Sequence, residues 1–245
     1  MNIRSLVAAA SIGVVFLLGA GIAAQAAEVS VLSSYAMRSV MTEVGPKFEH
    51  ATGHNLAITF DTPKKIAKRI QDGETADVAI MAGSGFAGFQ VVPGTVTPVA
   101  RGLIGVAVPK GAPKPDISSP ETVKRALLAA KSVAYSRDGL PGKHIVELFE
   151  RWGIADEMKR KSVLGSHVGG LDAEVFVHVL SSMILYKNVD IIGPLPDELQ
   201  ANMLTSAAII AAAKDMSAAK ALIDFLRTPE AAAVIKAKGM APAAP

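Results

Sequence analysis

Cysteine is absent from this chain of 245 residues, aromatic side chains make up only 5% of it, and tryptophan occurs once. The first absence excludes disulfides, thiolate metal ligands and lipid attachment at a cleaved N-terminal cysteine. The second argues against the row of stacking rings that single-stranded nucleic acid requires. A strong excess of one charge is lacking as well, since 25 Lys and Arg stand against 22 Asp and Glu, a net +3. The basic residues fall among acidic ones in helical stretches, as at Lys64-Lys65, Lys68-Arg69 and Lys159-Arg160-Lys161, the pattern of a solvated helix face. Nucleic acid is therefore not an expected partner.

Motifs for catalysis are missing too. There is no G-x-S-x-G, no H-E-x-x-H and no Walker A, and the Gly-Lys pair at Gly142-Lys143 has no Ser or Thr after it. Gly83 to Gly88 matches G-x-G-x-x-G behind a strand-like run. The dinucleotide fingerprint, however, needs an acidic residue about 20 positions on to hold the ribose, and none occurs between Asp77 and Asp116. A loop leading into a short helix is the reading that remains. His50, His54, His144, His167 and His178 are dispersed without metal-ligand spacing, so neither a metal nor a cofactor is expected.

Only one long apolar run is present. Arg4 precedes an apolar stretch from Leu6 to Ala24, and Ala24-Gln25-Ala26 has the small-x-small form of a cleavage site, which predicts a secretory signal peptide over 1–26, cut after Ala26. An uncleaved anchor is the alternative, because the run is almost long enough to span a bilayer. The remaining 27–245 can form one large α/β core or two smaller lobes in a periplasm-like space.

The stretch from Glu28 to Lys65 organises the rest. Val29 to Leu32 reads as a strand, and Met37, Val40, Met41, Val44 and Phe48 lie at helical spacing before Gly53. Leu56 to Phe60 returns as a strand, and Thr62-Pro63 supplies an N-cap and a first helical residue. Two strand-to-helix junctions then share one edge of a sheet, where ligands of open parallel sheets bind and helix N–H groups attract negative charge. Further along, Ala76 to Ala82, Leu103 to Val108, Ser132 to Tyr135 and Val189 to Gly193 read as strands. Helices are expected after Ser119-Pro120-Glu121, from Pro141 to Trp152, from Ser217 to Arg227 and from Pro229 to Lys238. Leu140 has no side-chain oxygen with which to cap the helix expected at Pro141, so the N–H groups of Gly142, Lys143 and His144 are expected to be free for an anion. Glu174 to Met183 reads as a strand or a short helix, with Val175, Val177 and Val179 alternating as in a strand. Residues 163–188 otherwise give no assignment.

The order of these elements, together with Phe48-Glu49-His50-Ala51-Thr52-Gly53, Ala76-Asp77-Val78, Gly193-Pro194-Leu195-Pro196 and the ending Asp224-Phe225-Leu226, Pro229-Glu230-Ala231-Ala232 and Lys238-Gly239, resembles the periplasmic molybdate-binding protein family. These are solute receptors of ABC importers with the type II periplasmic binding-protein fold. The resemblance implies an α/β protein of two lobes, each a mostly parallel sheet flanked by helices. Lobe 1 would hold 27–100 and 208–245 and lobe 2 would hold 101–207, with crossing segments near 99–109 and 200–210. In the family the oxyanion is held by a Ser at the start of the first helix, a Ser after the second strand, N–H groups at a later helix start and a Tyr from the second lobe. Those side-chain positions fall here on Ala36, on Pro63 with Thr62 beside it, and on Val179 next to His178. Molybdate as the ligand therefore does not follow.

The implied cleft is lined by Ser33, Ser34, Tyr35 and Ala36, by Thr62, Pro63 and Lys64, by Pro141, Gly142, Lys143 and His144, and by His178 and Val179. His178 also reads as a satisfied core histidine and Lys143 as a solvated first-turn lysine. The expected function is a non-enzymatic, monomeric periplasmic receptor that takes a small anion, oxyanion-like or an organic carboxylate or sulfonate, to an ABC permease. A secreted enzyme using His144 as base, or a sensor domain without transport, are the rival readings.

Overall fold

The computed structural model describes residues 26–136, 139–165 and 170–243. The expected signal peptide, apart from its last residue, lies outside them, as do Asp138 and His167. Two sheets carry the fold. The first contains β1 (Glu28–Ser34), β2 (Asn55–Asp61), β3 (Val78–Ala82), β4 (Thr97–Gly102), β10 (Leu204–Ile209) and β11 (Met240–Pro242), in the order β11-β4-β10-β3-β1-β2. The second contains β5 (Ile104–Pro109), β6 (Val133–Ser136), β7 (Ser162–Gly165), β8 (Val175–Val179) and β9 (Val189–Pro194), in the order β7-β6-β8-β5-β9.

Around them lie helices α1 (Arg38–Thr52), α2 (Pro63–Gln71), α3 (Pro120–Ala129), α4 (Gly139–Arg151), α5 (Ala155–Lys161), α6 (Leu180–Met183), α7 (Met216–Phe225) and α8 (Pro229–Ala237). This is the two-lobed α/β architecture that the resemblance implied. Both sheets are mixed, however, rather than mostly parallel: β1 pairs in parallel with β2 and β3, but β10 runs antiparallel to β3 and β4, and β5 antiparallel to β8 and β9. A strand that enters from the other lobe needs no crossover helix, so nothing holds it parallel.

Local chemistry sets several helix starts. The Thr62 hydroxyl accepts from the Lys65 N–H at 3.4 Å with Pro63 at the first helical position, and Thr228 with Pro229 repeats the device at 3.3 Å. Ser119 and Thr122 cap each other reciprocally. The α1 stripe packs Val40, Met41, Val44 and Phe48 on Val29, Val31, Val78 and Ile80, all buried. On the opposite face Leu32, Ala79 and Met81 meet Ile66 of α2. In the second sheet Val106, Val133 and Val177 pack on Leu127, Ile145, Leu148 and Met158.

Four details depart from the sequence reading. A 3-10 turn, Tyr35–Met37, precedes α1. Helix α4 begins at Gly139, two residues ahead of Pro141. Strand β8 stops at Val179, and Leu180–Met183 is helical, so Glu174 to Met183 is strand and helix in succession. The short elements β4, β7, β11 and α5 carried no recognisable pattern of their own.

The chain leaves the first sheet after Gly102, enters the second at Ile104, and returns between Pro194 and Leu204. The first sheet thus keeps Arg101 and Gly102 and regains the chain from Leu204, where the sequence reading ends lobe 1 at 100 and resumes it at 208. Asp77, 1% exposed, ties this lobe together. Its carboxylate accepts from the Ser30 N–H at 2.8 Å, the Ser30 hydroxyl at 2.6 Å and the Lys214 N–H at 2.7 Å. Burial pushes the carboxyl upward, but these hydrogen bonds to the charged form outweigh it and leave its pKa below the ordinary aspartate value.

Candidate functional site

The crossing segments form the floor of a cleft of about 430 Å³ between the two lobes. The first sheet supplies Ala36 from the turn after β1 and Ala82 at the end of β3. The second supplies Leu140 and Pro141 from the first turn of α4, Val179 at the end of β8, and Ser181. Gly102, Asn202 and Met203 come from the crossings themselves, with Leu204 and Thr205 beyond them. Carboxyl ends of strands from both lobes therefore open onto one space. The wall is mainly apolar, with Ser181, Asn202 and Thr205 as its side-chain hydrogen-bonding groups.

Of the residues singled out from the sequence, Ala36, Pro141 and Val179 meet in this cleft. Ser33 and Ser34 end β1 just behind it and are 0% and 3% exposed. Ser33 Oγ donates to the Ser34 carbonyl at 3.4 Å. Ser34 Oγ has no hydrogen-bond partner among the described residues, although Ser34 stands at the N-cap of the Tyr35–Met37 turn. Tyr35 is 51% exposed, and the Arg38 guanidinium lies 4.9 Å from its ring centre and 5.1 Å from that of Phe60.

Thr62 and Lys64 line a separate groove along α2, with Lys65, Lys68 and Gln71; Pro63, at the first position of that helix, belongs to the same junction. Gly142 is buried. Lys143 is exposed and shares with His144 a groove of about 440 Å³ whose wall includes Leu140 and Asn202, so it adjoins the cleft. His144 Nε2 lies 2.9 Å from the Leu199 carbonyl oxygen. A carbonyl can only accept, so Nε2 carries the proton and fixes the tautomer. His178 is partnered in register with Gly105 in the sheet. Neighbouring side chains on a strand point to opposite faces, and it is Val179 that lines the cleft.

The earlier start of α4 changes its anion-attracting end. With Gly139 as first helical residue, the N–H groups of Lys143 and His144 fall opposite the carbonyls of Gly139 and Leu140 in the helical pattern. Those two N–H groups are therefore taken up within the helix, and Pro141 has none to offer. Asn202 and Met203 were missed as lining residues. The signal was available: a crossing segment must run along the floor of any interlobe cleft, and 200–210 was already assigned to a crossing. Ser181 falls in 174–183, which reads as a strand or a short helix and proves to be one followed by the other. Among the described residues no three His, Asp or Glu converge to hold a metal.

Residues 29–241 match the family of bacterial extracellular solute-binding proteins. The chain is 34% identical over 229 residues to aconitate isomerase of a Pseudomonas species, covering 87% of each. It is 28% identical over 242 residues to the molybdate-binding protein of Azotobacter vinelandii, covering 91% of this chain and 94% of that one. Among solved structures, the substrate-binding domain of a putative molybdenum ABC transporter from Clostridium difficile superimposes with a TM-score of 0.78 at 14% identity, covering 89% of this chain and all of that one.

Proposed function

The chain belongs to the bacterial extracellular solute-binding protein family, and from that premise we propose that it is a periplasmic receptor of an ABC importer whose ligand is an organic carboxylate. The observation that carries this reading is the chemistry of the interlobe cleft. Ala36, Pro141 and Val179 meet there, and none offers a side-chain donor. A tetrahedral oxyanion held by neutral groups needs a shell of converging donors, because each buried oxygen left unpaired costs about 1 to 3 kcal/mol. An organic anion needs donors at its carboxylates only and gains from apolar wall elsewhere. Here the polar groups are few, Ser181, Asn202 and Thr205, with Lys143 in the adjoining groove. A volume of about 430 Å³ falls within the roughly 300 to 1,000 Å³ of small-molecule sites.

The ligand draws the lobes together about the crossing segments and stabilises the closed state by its contacts with both. The mature protein begins at Ala27, works as a monomer and delivers its ligand to a membrane permease. Thermal-shift screening of residues 27–245 against carboxylates, sulfonates and oxyanions tests the assignment. A saturating ligand at 100 times Kd adds about 2.7 kcal/mol to stability. A shift with molybdate and none with any carboxylate overturns the reading.

Isomerase activity is the second reading, favoured by the 34% identity with aconitate isomerase. Proton transfer requires a base, and the described residues of the cleft wall include no carboxylate or imidazole. The adjoining groove holds two candidates, His144 Nδ1 and the carboxylate of Glu147, and a substitution at His144 tests the first. Proton NMR of aconitate incubated with the protein in D2O separates the two readings. Turnover that is lost in His144→Gln supports the enzyme, and stable binding without exchange supports the receptor.

A further inference from the structure

Arg38 is an exposed cation in the first turn of α1. That end of a helix carries partial positive charge, so a cation there works against the helix, and neither the preceding turn nor the first turn of α1 contains an acidic residue. Among the described ion pairs none involves Arg38. Yet the guanidinium is not loose: it is held over the rings of Tyr35 and Phe60, at 4.9 and 5.1 Å from their centres. Stacking against rings occupies the faces of a guanidinium and leaves its N–H edges available. Tyr35 is itself 51% exposed, so the clamp and the cation both face solvent.

The location is as informative as the partners. Arg38 follows Ala36, which lines the cleft, by two residues, and Phe60 is the penultimate residue of β2, opposite Ser33 in register. The cation therefore lies at the carboxyl ends of β1 and β2. At the base of the same turn stands Ser34, 3% exposed, whose hydroxyl has no partner among the described residues. A buried hydroxyl without a partner is costly, and at the N-cap of the turn that leads to a guanidinium in no ion pair it is a second group that an anion would satisfy.

We propose that Arg38, clamped by Tyr35 and Phe60, receives a second carboxylate of the ligand and so selects polycarboxylates over monocarboxylates and tetrahedral oxyanions. The inference rests on the organic-carboxylate reading above and names its class more narrowly. A planar guanidinium can pair with both oxygens of a carboxylate at once. A lysine at the same place would give a point charge and neither the paired geometry nor the stacking.

Calorimetry on residues 27–245 with aconitate, acetate and molybdate tests it, using the wild type, Arg38→Gln, Arg38→Lys and Tyr35→Ala. The expected result is aconitate binding that weakens at least tenfold in Arg38→Gln, is only partly restored in Arg38→Lys, and weakens to a lesser degree in Tyr35→Ala. Acetate and molybdate should bind weakly and equally to all four proteins, and thermal midpoints without ligand should agree, since the residue is exposed. Aconitate binding that is unchanged in Arg38→Gln overturns this inference while leaving the carboxylate reading intact. Equal losses for all three anions overturn it also, because they mark a general charge effect. If the wild type binds no polycarboxylate, both readings fall together.

Discussion

The side-chain amide of Gln200 grips the backbone of Ile104 at both polar atoms, accepting from its N–H and donating to its carbonyl, each at 2.9 Å. The same amide donates to the Leu195 carbonyl at 2.9 Å. Ile104 is the first residue of β5 after the outgoing crossing, and Gln200 lies in the returning one. One side chain thus joins the two connections between the lobes. The Gly102 N–H adds a bond to the Met203 carbonyl at 3.0 Å. The Arg101–Asp197 ion pair nearby, at 3.7 Å with Asp197 89% exposed, contributes little because water screens it.

Replacing Gln200 by Ala should leave the N–H of Ile104, a residue that is 0% exposed, without a partner. The cost is about 1 to 3 kcal/mol, read as a lower midpoint in thermal unfolding. Because the bond tethers the crossings, small-angle scattering of the variant should also show a larger radius of gyration without ligand. A midpoint equal to the wild type would mean that water replaces the amide.

Asp77 sets an acid limit to stability. Its carboxyl is shifted below the ordinary value in the folded state, so its contribution is fully present above the unfolded pKa of about 3.9 and is lost as pH falls through the lower folded pKa. Asp77→Asn should destabilise the protein near neutrality by at least about 1.5 to 3 kcal/mol, the worth of one hydrogen bond to a charged group. It should also flatten the fall in stability below the unfolded pKa of about 3.9. Denaturant titrations across that window provide the check.

Gly239 is a left-handed helix terminus at φ +71°, and a Cβ there would stand 3.0 Å from the Leu180 carbonyl carbon and the Ser181 nitrogen, backbone atoms of the other lobe. Gly53, at φ +76°, has open space around the same position. Gly53→Ala should therefore cost only the roughly 1 to 2 kcal/mol of a left-handed L-residue. Gly239→Ala adds a contact that must move, for about 1 to 3 kcal/mol more. Since Ser181 and Met240 both line the cleft, the second variant alone should weaken ligand binding. Equal losses of stability in the two variants would show that the lobes yield freely there.

Lys143 adjoins the cleft through a wall shared at Leu140 and Asn202, whereas Lys64 lines the groove along α2. Lys143→Ala should weaken anion binding several-fold at low salt and less at high salt, because the group is exposed and screened. Lys64→Ala should change affinity by less than about twofold, as befits a charge that acts only at a distance. Calorimetry at two ionic strengths distinguishes them, and a larger effect for Lys64 would move the ligand towards the β2–α2 junction.

Much of the fold was legible because its determinants are local. Met37, Val40, Met41, Val44 and Phe48 recur at helical spacing and are all buried. Thr62-Pro63 and Thr228-Pro229 mark helix starts within a few residues, and each hydroxyl makes its cap. The chain's own residues likewise determined that the cleft positions Ala36 and Val179 carry no donor. Tertiary structure decided what depends on residues far apart in the chain. The antiparallel entry of β10 beside β3 joins Ala207 to Ile80, a pairing that neither segment announces. The start of α4 at Gly139 was set beyond the reach of the Pro141 signal. Asn202 became a wall of the cleft, and Gln200 its tether, only when two crossings were laid side by side. Periodicity and caps are read within one turn or one strand, whereas a site between lobes exists only where separate segments meet.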